Sequence, residues 1–233
     1  MTTPARAEPR LQLFLVGDST MAADTGYGAA LFACFGDEVV CYNRAYEARS
    51  TLSYRADGLW DDVLQLVRAS PLPSYVLIQF GHNDAPGHPG RSTDLVTEFP
   101  ANLERYVAEL RAAGGTPVLV TPLVRRHFTN FRVRNELAPW AAATRAVAAR
   151  TQTALLDLNT LSEAVTNGLG PFESLRLALD EAPDNVVAAA KTGTTIYPFD
   201  YTHLGPEGAT FYANIVREEL VRLLPVLRPY LRS

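Results

Sequence analysis

Five short apolar runs, at residues 11–16, 39–42, 75–80, 117–120 and 154–158, constrain this chain more than any other feature. They are nearly continuous rather than alternating, with Gln12 as a rare polar interruption, which is the pattern of strands covered on both faces. Between them the apolar period lengthens from two to about 3.6 residues. Leu59, Trp60, Val63, Leu64 and Val67 share one helical face, and so do Leu103, Val107 and Leu110. Pro139 and Trp140 open an alanine-rich stretch of high helix propensity, with proline suited to the first helical position. Gly205-Pro206-Glu207 begins a last helix carrying Phe211, Ile215, Val216, Leu220 and Leu223. Strands alternating with helices predict an α/β domain with a parallel sheet. The stretch 167–195 is dense in turn signals and reads as a loop-rich insertion around a short helical pattern. Residues 1–10 read as a disordered polar tail, and 11–233 as one domain.

Charge and cysteine content narrow the function. Twenty-one Lys and Arg against 25 Asp and Glu leave a net charge of −4, with no basic stripe, so no nucleic-acid partner is expected. Lys191 is the only lysine, and any Schiff-base or phosphate-loop chemistry would rest on it alone. Cys34 and Cys41 lack C-x-x-C spacing, and the four histidines lack ligand spacing, so neither a metal site nor a cofactor is expected. The two cysteines read as small buried apolar side chains, or as a short-loop disulfide in a secreted protein. No run is long enough to span a membrane, and no leader core is recognisable. The protein is expected in the cytoplasm if Met1 is its native start, and outside the cell if the chain is a trimmed mature form. Oligomeric state is not legible.

In an open parallel sheet, ligands bind beyond the carboxyl ends of the strands. Gly17-Asp18-Ser19-Thr20 follows the first run, Gly81-His82-Asn83-Asp84 the third, and Thr121-Pro122 the fourth. Ser19 follows a glycine turn and reads as the start of a helix, either as its cap or as an exposed nucleophile. A nucleophilic serine needs a base, and the base needs an orienting carboxylate. Of four histidines, His203 has Asp200 three residues before it, whereas His88 and His127 read as surface histidines. Asn83 offers a side-chain amide to a developing oxyanion, or else caps a turn. Gly-x-Ser-x-Gly, Walker A, Gly-x-Gly-x-x-Gly and His-Glu-x-x-His are all absent.

Taken together, Gly17-Asp18-Ser19-Thr20, Gly81-His82-Asn83-Asp84 and Asp200-x-x-His203 resemble the SGNH (GDSL-type) hydrolases. Asn43-Arg44-Ala45 with Arg49-Ser50, Phe80 to Asp84, Thr121-Pro122 before Arg125-Arg126, and Asp200 to His203 resemble the rhamnogalacturonan acetylesterases more closely. The resemblance implies a flavodoxin-like three-layer α/β/α sandwich with a five-stranded parallel sheet. It also implies metal-free hydrolysis of acetyl esters on pectic carbohydrate. Ser19 would be the nucleophile, His203 the base and Asp200 its orienter. The oxyanion hole would comprise the Ser19 N–H, the Asn83 amide and a backbone N–H in the block where Ala48 replaces a usual glycine. Ala48 is expected in ordinary extended backbone, a conformation alanine tolerates. Asp18, His82, Arg125 and Arg126 are candidate substrate contacts, the arginines because guanidinium forks pair with carboxylates. Two alternatives stay open: an esterase acting on other acetylated glycans or small acyl esters, and a non-catalytic glycan-binding relative.

Overall fold

The computed structural model describes residues 8–232. Of the expected polar tail, residues 1–7 lie outside the described residues. Residues 8–10 are exposed, and the Arg10 N–H donates to the Glu38 carbonyl at 2.7 Å.

Each of the five apolar runs is a strand: β1 (Leu11–Gly17), β2 (Val39–Ala45), β3 (Ser74–Gln79), β4 (Thr116–Val120) and, after a short hairpin described below, β7 (Ala154–Leu156). They form one parallel sheet in the order β2-β1-β3-β4-β7. The last run stops short because Asp157 ends the strand and Leu158 begins a helix. Alternate strand residues point to opposite faces, and this divides the core in two. Leu11, Leu13 and Leu15 pack with Leu77, Val118, Val120 and Leu156 beneath α1 (Gly28–Phe32) and α8 (Pro206–Leu223). Phe14 and Val16 pack with Val76, Ile78 and Leu119 beneath α3 (Leu59–Ala69), α4 (Glu98–Ala112) and α5 (Ala138–Arg150). The result is the three-layer α/β/α arrangement.

The helices follow the apolar period. In α3, Trp60, Val63, Leu64 and Val67 are buried, while Asp61 and Asp62 occupy the first turn, where carboxylates favour the helix dipole. A short α2 (Ser53–Ala56) precedes it. Segment 167–195 is more helical than expected. α6 (Leu158–Glu173) runs through Gly168 and kinks at Gly170, where φ is 74°. It is followed by a 3-10 turn at Ser174–Leu177 and by α7 (Asp184–Lys191). The sequence also concealed a two-stranded hairpin, β5 (Phe128–Thr129) with β6 (Arg132–Val133). Cys34 and Cys41 are free and only partly buried, and burial pushes the Cys41 thiol up to about 12.

Candidate active site

Because all five strands are parallel, the segments leaving β1, β2, β3 and β4 share one edge of the sheet. Gly17 ends β1 so close to β3 that a Cβ there would lie 2.5 Å from the Gln79 carbonyl oxygen. The chain then turns twice, through Met21 N–H to the Asp18 carbonyl and Ala22 N–H to the Ser19 carbonyl. No helix follows Ser19, contrary to expectation. The turns continue to Tyr27, and α1 starts only at Gly28. Ser19 is therefore neither a helix cap nor under a helix dipole.

From the opposite end of the chain, the segment before α8 returns to the same edge. His203 Nε2 lies 2.8 Å from Ser19 Oγ, and His203 Nδ1 lies 2.6 Å from Asp200 Oδ2. Asp200 Oδ1 accepts the N–H groups of Thr202 and His203 at 2.8 and 3.0 Å. Burial works to raise the Asp200 carboxyl, but these donors outweigh it and hold the group well below the usual carboxylate range. The Asp200 hydrogen bond raises the His203 imidazole above its ordinary value against partial burial, with help from the charges of Asp18 and Glu47. The two loops are tied together. Leu204 N–H donates to the Thr25 carbonyl at 2.9 Å, and Thr25 Oγ1 donates to the Ser19 carbonyl at 2.9 Å.

Donors converge on the mouth of this arrangement. Asn83 Nδ2 donates one N–H to the Arg49 carbonyl at 3.1 Å, leaving its second N–H free of that bond. Asn83 Oδ1 accepts from Arg91 Nη1 at 3.2 Å, which fixes the orientation of the amide. Among the described residues, neither the Ser19 N–H nor the Ala48 N–H donates to any protein group. Ala48 has φ 55°, so the expectation of ordinary extended backbone is wrong: the position is left-handed. The cause is the packing of its flanks. Tyr46 N–H is held by the Gly17 carbonyl and Thr51 N–H by Asp84, so the chain must reverse between them. A cleft of about 320 Å³ opens over Ser19, Ala48, Asn83 and His203, with Thr25, Glu47, Arg91 and Leu179 completing its wall.

Three of the four candidate substrate contacts are displaced by burial. Asp18 and His82 are 0% and 3% exposed. They pair with each other, Asp18 Oδ2 to His82 Nδ1 at 3.1 Å, while Asp18 Oδ1 accepts from Thr20 N and Oγ1 at 3.0 and 2.7 Å. Burial opposes ionisation of Asp18, yet His82 and the Thr20 donors keep its carboxyl below the ordinary value. The pair braces the turn that carries Ser19 from behind. Arg126, 1% exposed, is equally unable to meet substrate. Its Nη2 donates to the His203 carbonyl at 2.8 Å, with the Asp200 and Thr202 carbonyls 3.5 Å from its guanidinium. Only Arg125 keeps an exposed part. His127 is also buried rather than on the surface, against Glu136 and the Tyr197 hydroxyl.

Sequence reasoning missed Arg91, Glu47 and Leu179, none of which carries a pattern. It also missed the work of Asp84, although Asp84 stands beside Asn83. This carboxylate accepts from Thr51 N, Thr51 Oγ1 and Thr93 Oγ1, and so joins the segment after Ala48 to the segment after Arg91.

Residues 15–211 match the GDSL-like lipase/acylhydrolase family. The chain belongs to that family. Family membership makes it a carboxylic ester hydrolase, and the relatives agree. It is 30% identical over 234 residues to the rhamnogalacturonan acetylesterase RhgT of Bacillus subtilis (strain 168), covering 96% of this chain and 95% of that protein. It is 26% identical over 229 residues to the probable rhamnogalacturonan acetylesterase YesY of the same strain, covering 95% and 98%. Among solved structures, YxiM of Bacillus subtilis shares the fold at a TM-score of 0.71 and 24% identity, over 91% of this chain and 56% of that one. The acetyl xylan esterase AlAXEase shares it at a TM-score of 0.62 and 18% identity, over 88% and 96%. Among the described residues, no helix is long and apolar enough to cross a membrane, and no three His, Cys, Asp or Glu side chains come together to hold a metal ion.

Proposed function

We propose that this esterase removes acetyl groups from acetylated carbohydrate, with rhamnogalacturonan as its substrate, through an acyl-enzyme formed on Ser19. One observation carries the reading: Ser19, His203 and Asp200 are linked by hydrogen bonds of 2.8 and 2.6 Å at the floor of an open cleft. Ser19 Oγ attacks the acetyl carbonyl carbon while His203 Nε2 takes its proton. The carbonyl oxygen becomes an oxyanion facing the Ser19 and Ala48 N–H groups and the Asn83 amide. Collapse breaks the ester C–O bond, and His203 returns the proton to the sugar oxygen. Water, deprotonated by the same imidazole, then attacks acetyl-Ser19; the Oγ–acyl bond breaks, His203 returns the proton to Ser19 Oγ, and acetate leaves. Asp200 stays ionised and holds the imidazole in the productive tautomer.

One comparison supports the substrate and another the catalytic residues. RhgT and YesY are named for rhamnogalacturonan. In the acetylxylan esterase Axe2 of Geobacillus stearothermophilus, catalytic mutants replace a serine, an aspartate and a histidine, the last two with the same spacing as Asp200 and His203. Because Axe2 is named for acetylxylan, xylan is the second substrate to test. Acetate release is to be measured on acetylated rhamnogalacturonan, acetylated xylan and p-nitrophenyl acetate, with Ser19→Ala as control. The expected result is the highest kcat/KM on rhamnogalacturonan and a loss in kcat on the order of 10⁶ in the variant. Xylan preferred over rhamnogalacturonan would overturn the substrate, and an active Ser19→Ala the mechanism.

A further inference from the structure

The surroundings of the cleft are mostly acidic. Glu47 lines the cleft and also an adjoining hollow of about 290 Å³, where it is joined by Asp24 and by no cation. On another flank, Leu179 is shared with a hollow of about 420 Å³ whose charged lining is Glu173, Asp180 and Glu181 against Arg176. Arg91 is the one cation of the cleft itself among the described residues.

Arg91 is also left without an anion. Among the described residues no carboxylate pairs with it, and the one hydrogen bond of its guanidinium goes to Asn83 Oδ1. A guanidinium carries five N–H donors in a fork suited to carboxylate, so most of its capacity is unspent. Arg125, by contrast, is ion-paired. Its Nη1 is 3.7 Å from Glu136 Oε2, its Nε is buried with no partner, and Glu136 is already shared by Arg134 at 2.8 Å and His127 at 3.1 Å. Arg91 is therefore a positive charge with no carboxylate partner in a cleft whose other fixed charge is Glu47.

We propose that Arg91 binds the carboxylate of an acidic sugar of the substrate, and so selects polymers that contain uronic acid. The proposal rests on the carbohydrate-esterase reading. The hollows of Glu47 with Asp24, and of Asp180 with Glu181, repel a carboxylate, so an acidic sugar is admitted on the Arg91 side alone and the polymer lies in one direction. Arg91 thereby meets substrate with one edge of its guanidinium while another edge orients Asn83.

The test compares one acetylated rhamnogalacturonan oligosaccharide with the same oligosaccharide after its uronic carboxyls are reduced to neutral alcohols. The wild-type protein should prefer the acidic form by about tenfold in kcat/KM, the size of a charged hydrogen-bonded contact, and the preference should shrink with added salt. Arg91→Gln should bring the ratio towards one while lowering kcat on both forms alike through Asn83, and Arg91→Lys should restore part of the ratio. Equal kcat/KM on the two forms overturns the proposal while leaving the esterase reading intact. So does an Arg91→Gln enzyme that loses kcat on both forms and keeps the ratio, because Arg91 would then act only through Asn83. Preference for acetylated xylan over both forms overturns the substrate and this proposal together.

Discussion

Replacing Ala48 by glycine separates the strain at the cleft from its chemistry. With φ at 55°, Ala48 holds an L-side chain in the left-handed region, where crowding of Cβ costs about 1–2 kcal/mol. Glycine removes that crowding and keeps the N–H in place. It also loosens the unfolded chain by about 0.4–1 kcal/mol and gives up a methyl that is only half-buried. The balance favours Ala48→Gly by several tenths to about 1 kcal/mol. In a chain of this length that is a rise in Tm of about 1–4 °C. Ala48→Val should move the other way, since a β-branched residue fits left-handed backbone worse than alanine. Calorimetric melting of the three proteins at one pH and scan rate checks the order Gly above Ala above Val. A glycine variant melting below wild type would refute the reasoning, because it would mean that the strain is absent or that the methyl supports the oxyanion loop by more than the strain costs.

Other perturbations address the remaining parts of the site. The proposed mechanism needs His203 unprotonated, and Asp200 raises its pKa, so kcat/KM should climb with pH through a midpoint above the ordinary histidine value. Asp200→Asn should lower that midpoint and depress kcat by about 10⁴, and a pH profile unmoved by this substitution would remove Asp200 from the mechanism. Asn83→Ala should lower kcat by about 10²–10³ with little change in KM, whereas a variant within threefold of wild type would exclude the amide from the oxyanion hole. Arg126→Met, read by steady-state kinetics, should cost at least about tenfold in kcat through loosening of the Asp200–His203 loop. Arg126→Lys should recover only part, since a point cation cannot fork to several carbonyls.

How much of this was legible follows from what sequence patterns encode. The sheet could be read because strands covered on both faces must be apolar throughout, and each of the five runs became a strand. Ser19 and Asn83 could be read because each follows an apolar run, and Asp200 and His203 because their spacing stands directly before the last helix. The hairpin was not, since strands of two residues have no period, and α6 was obscured because Gly168, Gly170 and Pro171 resemble a turn. The φ of Ala48 was misjudged because local preference is set against tertiary ties at Tyr46 and Thr51, and the ties win. Arg126 was misplaced for a related reason. Arginine in a polar segment usually lies in solvent, and its burial is made tolerable by backbone carbonyls that have no sequence signature.

The buried charges explain how loops with little apolar packing of their own keep reactive atoms in place. Each segment of the site is fastened underneath by a charged side chain bonded to its neighbours. Asp18 with His82 lies under Ser19, Asp84 joins Thr51 to Thr93 beside Asn83, and Arg126 lies under the Asp200–His203 loop. Burial is costly for such groups, as Asp84 shows: desolvation pushes its carboxyl up to about 7 against all three of its donors. An apolar side chain in its place would avoid that cost, yet it would leave Thr51 N–H and two hydroxyls without acceptors. It would also free the Ala48 and Arg91 segments to move independently. One carboxylate thus ties the segment after Ala48 to the segment after Arg91, on either side of the Asn83 amide, and limits their independent movement.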